Sequence, residues 1–211
     1  VINGDTQKCV VIRGRGPNVG VPAGVVRLSD PNLALYSGST ELESNDDWGS
    51  HPHAQTIQDL GFDPSSSLDA AIYRCLDPGP YTAWLTLAAK GTTNGVGIVE
   101  VYSADLGTGW LRNISTRALV ADSQHLVAIG GFIIQGEPGV TRQVLIRARG
   151  PSLNLPQGVT ALSDPTVTLY DSDLNPVLSN DDWATPNGPA ITATGRAPTD
   201  PKESAILIDL L

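Results

Sequence analysis

The sequence predicts an all-β fold of two tandem β-sandwich, jelly-roll-like modules. Three observations carry this. The first is an internal repeat: Val-Ile-Arg-Gly-Arg-Gly-Pro at 11–17 returns as Leu-Ile-Arg-Ala-Arg-Gly-Pro at 145–151, and Ser-Asn-Asp-Asp-Trp at 44–48 returns at 179–183. Long self-similar blocks mark an array of like modules. The second is composition. Gly (22) and Pro (16) are frequent and charged residues are only 17%, the profile of a turn-rich β protein. The third is patterning: apolar, β-branched runs are short, and turn residues separate them.

The elements follow in order. Strands are expected near Val10–Arg13, Asn32–Tyr36, Glu41–Ser44, Ala70–Cys75, Tyr81–Ala88 and Val96–Tyr102. Asp77-Pro78-Gly79-Pro80 reads as a rigid turn, and Gly91–Gly95 as the loop of a hairpin. Further strands are expected at Ile114–Ala121, Leu126–Ile134, Gln143–Arg147, Thr166–Tyr170, Val177–Ser179 and Ser204–Leu210. Only Ala54–Leu60 suits a helical turn. Residues 1–112 form the first module and 113–211 the second, which is expected to lack its C-terminal hairpin. Val1–Gly4 aligns with a strand interior in the second copy, so a removed leader or a longer parent chain is expected.

The net charge of −9 and the scattered basic residues argue against nucleic acid as a partner. No run of about 18 apolar residues is present, so no membrane insertion is expected. Cys9 and Cys75 are the only two cysteines, both in the first copy; Gln143 and Asp209 stand at the matching places. Their pairing within one module predicts a disulfide and an oxidising, extracellular or cell-surface location. The alternative is two buried thiols.

Asp-Pro-x-Leu/Val-x-Leu-Tyr, Ser-Asn-Asp-Asp-Trp, Pro-Gly-Pro-Tyr-Thr-Ala and Gly-Ile-Val-Glu-Val-Tyr resemble the repeat modules of large secreted bacterial proteins. Those modules are similar to bacterial pre-peptidase C-terminal domains. The resemblance covers most of the chain. It implies a β-sandwich that accompanies secreted enzymes, adhesins and surface proteins.

Asn45-Asp46-Asp47 and Asn180-Asp181-Asp182 are the sharpest chemical signal. Clustered carboxylate and amide oxygens suit calcium, with Asp30 and Asp164 as candidate partners. The favoured alternative is an Asx turn that binds backbone amides, with Trp48 and Trp183 plugging the end of each module. Arg13-Gly14-Arg15 and Arg147-Ala148-Arg149 put two guanidiniums on one strand face, where they could hold those carboxylates. His51-Pro52-His53 reads as a solvated loop and His125 as isolated. No Gly-x-Ser-x-Gly motif points to a nucleophile. Asn113-Ile114-Ser115 is a glycosylation sequon.

These readings converge on a non-enzymatic structural protein with no obligate cofactor. The expected role is a subunit of an extracellular fibre or surface layer, a homopolymer open to glycan decoration. Incomplete module ends would be filled by a neighbour's strand. Val1, Ile2, Ile206 and Ile208 are the expected assembly residues, because Ala205–Ile208 should be poorly covered within its own chain. The alternative is an accessory module of a larger secreted hydrolase or adhesin, binding carbohydrate or protein or adhering through calcium.

Overall fold

The strand order follows from which apolar runs can be covered on one face and which on two. The structure is a computed structural model. It describes residues 1–21, 23–105, 110–111, 113–118, 120, 127–134, 137 and 139–211, with Trp110 by its backbone alone. The fold is mostly strands in small antiparallel sheets, an all-β protein. The chain divides into two units, Val1–Ser115 and Thr116–Leu211.

The first unit contains β1 (Ile2–Asn3), β2 (Lys8–Arg15), β3 (Pro31–Ser37), β4 (Thr40–Asn45), α1 (Ala54–Asp59), β5 (Ala70–Leu76), β6 (Thr82–Leu87), β7 (Ile98–Ser103) and β8 (Trp110–Leu111). Two three-stranded sheets run β5-β2-β7 and β4-β3-β6, and β1 pairs with β8. Val10 and Ile12 of β2, Leu33 and Leu35 of β3, and Ala70, Ile72 and Leu76 of β5 meet in one apolar cluster. Alternation alone would leave Val11 and Ala71 facing water. Instead Ile57 of α1 covers them, with Trp48 and Phe62 packed alongside. Cover on both faces is why β2 and β5 carry continuous apolar runs.

The second unit contains β9 (Arg142–Ala148), β10 (Val167–Tyr170), β11 (Pro176–Asn180), α2 (Gly188–Ala193) and β12 (Ser204–Leu210). It repeats the pairings of the first unit. Ser204 lies opposite Ala148 as Ala70 lies opposite Gly14. Val167 lies opposite Asn180 as Leu33 lies opposite Asn45, and both ladders shift register at the tyrosine, Tyr170 and Tyr36. Here, however, each sheet has two strands. Among the described residues nothing pairs with the other edge of β9 or of β10.

Three expectations are corrected. Residues 81–102 do not form a hairpin: β6 pairs with β3 and β7 with β2, so the two strands part into different sheets. Each pairs there along its whole length. No strand forms among the described residues of 113–134. Val127, Ile129 and Ile133 are 72–83% exposed; strand propensity without a partner surface does not make a strand. A second helix, α2, forms where only α1 was expected. Six residues are too few to show a helical period, and Pro189 opens the first turn, which needs no amide proton there. His125 lies outside the described residues.

Candidate functional site

The repeated Asn-Asp-Asp-Trp segments build the same turn twice. Asn45 Oδ1 accepts the Ala71 N–H at 3.0 Å, and its Nδ2 donates to the Asp47 carbonyl at 3.1 Å. Asn180 does the same with Ala205 at 2.8 Å and Asp182 at 3.1 Å. Each asparagine therefore ties its turn to the neighbouring strand. The Trp48 indole N–H donates to the Ser66 carbonyl at 3.1 Å, and that of Trp183 to the Asp200 carbonyl at 3.0 Å. Both rings are half-buried, less than a core plug requires.

Below each turn sits an acid with no solvent exposure, which the repeat reading passed over because it changes identity. Asp69 Oδ1 accepts the Gly16 N–H at 2.9 Å, and Glu203 Oε1 accepts the Gly150 N–H at 3.0 Å. The same two residues accept the Trp48 and Trp183 backbone N–H through their own carbonyls, at 2.8 and 2.9 Å. A side chain on either glycine would run into a carbonyl, that of Leu28 or of Leu162. This explains why Gly-Pro is kept in both copies while the preceding glycine is not. Burial raises the Asp69 carboxyl above its ordinary value despite the Gly16 N–H and the Arg15 charge. Burial also acts on Glu203. There the Ser152 hydroxyl and N–H, the Gly150 N–H and Arg149 together outweigh it, and the net shift is downward.

The arginines do not hold the Asn-Asp-Asp carboxylates. Arg13 donates to Glu100 at 2.8 Å and to the Tyr102 hydroxyl at 2.7 Å, both on β7, and lies over the Tyr102 ring. It also donates to the Phe62 carbonyl at 3.2 Å. Arg15 reaches Glu100 at 3.4 Å and Asp69 at 3.9 Å. In the second unit Arg147 donates to the Arg196 carbonyl and Arg149 to Ser152, and Arg149 lies 3.9 Å from a Glu203 oxygen as an ion pair. In the first unit the guanidiniums therefore meet β7 rather than the Asn-Asp-Asp turn, and in the second they meet loop and turn groups.

Asp46 carries an upward shift from burial, then from Asp30 and Asp47, partly offset by Lys90. One oxygen each of Asp30 and Asp46 is buried without a hydrogen-bond partner. Among the described residues no group of three or more His, Cys, Asp or Glu side chains is placed to hold a metal ion. Asn45 and Asn180 are already engaged with backbone, so the geometry fits the turn better than calcium.

His51 is not a solvated loop residue. It is 4% exposed, its Nδ1 accepts the His53 N–H at 3.0 Å, and its Nε2 donates to Glu43 at 2.9 Å. Arg74 meets the other Glu43 oxygen at 3.0 Å. Pro52, His53, Tyr73, Arg74, Glu43 and Cys75 line a cleft of about 430 Å³. Cys9 and Cys75 lie opposite each other in the β2–β5 ladder and form a disulfide. The sequon residue Asn113 is exposed, and its carbonyl accepts from the Val1 amino group at 3.1 Å.

The expected assembly residues are covered within their own units. Ile2 is 4% exposed, pairs with Leu111 and joins the first core; only Val1 is exposed. Ile206 is 2% exposed and Ile208 half-buried, because β12 pairs with β9 along its whole length and α2 packs against it. What the second unit leaves open is the other side. Val10, Ile12, Leu33 and Leu35 are 0–3% exposed in the first unit. Their counterparts Val144, Ile146, Val167 and Leu169 are only half-buried.

No family model, curated protein or solved structure matches the chain.

Proposed function

We propose that the chain is a non-enzymatic building block of an extracellular fibre or surface layer, made of tandem sandwich modules akin to bacterial pre-peptidase C-terminal domains. Like modules join end to end through the open strand edges of the second unit. One observation carries this reading: among the described residues, β9 and β10 each have an unpaired edge beside a half-covered apolar face. Unpaired edges attract strands, and natural sheets normally block them. A joint between unlike ends does not close on itself and propagates as a filament. The Cys9–Cys75 disulfide fits an oxidising compartment, and no helix among the described residues is long and apolar enough to cross a membrane.

The test is sedimentation and electron microscopy of the full chain over a range of concentrations, beside Val167→Lys with Leu169→Lys. Filaments in the parent and none in the variant are expected, with the first-unit melting transition retained. A parent that stays monomeric at every concentration, or a variant that assembles equally, overturns the reading.

A second reading is favoured by the cleft beside the disulfide, where the His53 and Tyr73 rings meet at a tilt and Arg74 and Glu43 supply charge. It is that of an accessory binding module of a larger secreted protein. Titration with oligosaccharides followed by Tyr73→Ala checks it.

A further inference from the structure

The β4-β3-β6 sheet of the first unit turns one face to the core and the other outward. Leu33 and Leu35 of β3 and Ala83 of β6 pack in the core, so alternation puts Ala34 and Tyr36, with Trp84 across from them, on the outer face. Trp84 is 57% exposed there. Its ring meets that of Tyr36 diagonally across the ladder, with centroids 4.9 Å apart at a tilt of 38°. Ala34 lies directly opposite Trp84 and is only 8% exposed although it belongs to the outer face. The two rings therefore lean over its methyl group and turn a broad apolar surface outward. The Tyr36 hydroxyl donates to Glu41 Oε2 at 2.8 Å, which anchors that ring.

The second unit builds the same ladder without this surface. Thr168 stands in the place of Ala34, and its hydroxyl meets that of Ser179 at 3.0 Å. Pro176 stands in the place of Glu41, so Tyr170 has no carboxylate opposite it. The ladder forms in both units, so the apolar floor and the anchored ring of the first serve something other than the ladder.

Three features choose the occupant. The two rings touch, and a third ring held between them would need about 7 Å, two contact distances. That excludes the slot in which aromatic side chains grip a polyproline segment, and leaves a ligand laid on top. Short polar side chains border the rings: Thr82 lies opposite Tyr36, and Thr86 lies opposite Asn32 and takes its amide at 3.5 Å. Hydroxyls such as these give or accept hydrogen bonds as a ligand hydroxyl requires. The charge at hand is negative, Glu41 beside Tyr36 and a net charge of −9 over the chain, and it repels an anionic ligand.

We propose that the outer face of β3 and β6 binds a neutral oligosaccharide, one pyranose ring laying its C–H face on Trp84 and Tyr36 and directing its hydroxyls to Thr82 and Thr86. Dispersion over the rings holds the sugar face, and the polar border orients its rim. The site shares no residue with the cleft beside the disulfide or with the strand edges of the second unit. It is independent of filament formation.

Calorimetric titration of the full chain tests this with two neutral sugars, cellohexaose and N-acetylchitohexaose, beside hexagalacturonate and a proline decamer. Saturable binding of a neutral hexamer, and of neither other probe, is expected. Trp84→Ala should weaken it about three- to tenfold, the worth of one aromatic contact, and Trp84→Tyr should restore most of the loss. Ala34→Thr, which gives the first unit the residue of the second, should weaken it as well. Trp84 is exposed, so the first-unit melting transition should stay in place in both Trp84 variants. No binding of either neutral hexamer at millimolar concentration overturns the proposal. Equal binding of the acidic or the proline probe does so too, as does equal binding by the parent and Trp84→Ala. A loss confined to Tyr73→Ala also overturns it, and moves the sugar to the cleft of the second reading.

Discussion

Asp69 and Glu203 occupy the same place in their two units, each accepting the N–H of the glycine in Gly-Pro, at 2.9 Å from Gly16 and 3.0 Å from Gly150. The longer glutamate reaches further and also takes the Ser152 hydroxyl at 2.5 Å and its N–H at 3.1 Å. The second oxygen of each acid is alike, buried without a hydrogen-bond partner and 3.9 Å from an arginine, but Asp69 has no counterpart of the Ser152 bonds. The two acids titrate in opposite senses for this reason.

The first prediction follows from that difference. The Asp69 pKa is raised above 3.8 in the folded state, so its contribution favours folding at low pH and is lost as pH rises through the raised value. The Glu203 pKa is depressed below 4.5, so its contribution is present above 4.5 and lost as pH falls through the depressed value. At neutral pH, Glu203→Gln should cost about 1.5–3 kcal/mol, the scale of hydrogen bonds to a charged group. Asp69→Asn should cost less. Unit-resolved hydrogen exchange between pH 7 and pH 3 checks this. Glu203→Gln should flatten the acid limb of the second unit, and Asp69→Asn should remove a rise in the first. Equal costs and parallel acid limbs would refute the assignment.

The tryptophans give a paired prediction. Each indole N–H meets a loop carbonyl, of Ser66 or of Asp200. Trp48→Phe and Trp183→Phe each remove that bond and leave the carbonyl with one donor, the Asp69 or the Glu203 backbone N–H. Each should cost about 1 kcal/mol, and the two should agree because the geometry repeats. Chemical denaturation of the two single variants is the measurement. A loss in one copy only would mean that the turns are not energetically equivalent.

Much of this was legible from the repeat. Asn45 and Asn180, Trp48 and Trp183, and the Gly-Pro steps were visible because the same residue types recur at the same spacing. Asp69 and Glu203 escaped notice because the repeat conserves the acid's position but not its length. The separation of β6 from β7 was also hidden. A glycine-rich loop between two strands suits a hairpin or an arch equally, and only the available edges of β2 and β3 decide. The strands expected in 113–134 failed for the converse reason. Val127, Ile129 and Ile133 have strand-like chemistry, but among the described residues no edge lies beside them. The reading of Arg13 and Arg15 missed Glu100, which lies far along the chain and becomes a neighbour only through β7.

The disulfide predicts an asymmetry between the units. It links β2 to β5 across a sequence separation of 66 residues, and the second unit has no equivalent. Closing a loop of that size should stabilise the first unit by about 2–4 kcal/mol. Cys9→Ala with Cys75→Ala should lower the first unfolding transition and leave the second in place. Calorimetry of parent and variant resolves the two. Intact mass before and after reduction should differ by two hydrogens, and an unchanged mass would refute the bond.

Asp46 supplies the last prediction, because its surroundings distinguish a turn from an ion site. Burial, Asp30 and Asp47 all raise its carboxyl above 3.8, and Lys90 offsets only part of this. A raised acid favours folding while protonated, and that contribution is lost as pH rises through the shifted value. At neutral pH the charge is therefore unfavourable where it stands. Asp46→Asn should stabilise the first unit by about 0.5–1 kcal/mol, the scale of relieving a partly solvated like-charge contact. The gain should be the same in chelator and in millimolar calcium, and should vanish at pH 3, where the parent carboxyl is protonated. A bound calcium ion would invert the outcome: calcium would raise the parent's melting temperature, and Asp46→Asn would abolish that rise. Thermal melts of both proteins under the three conditions therefore decide between the turn that Asn45 builds and the ion that the Asn-Asp-Asp sequence suggests.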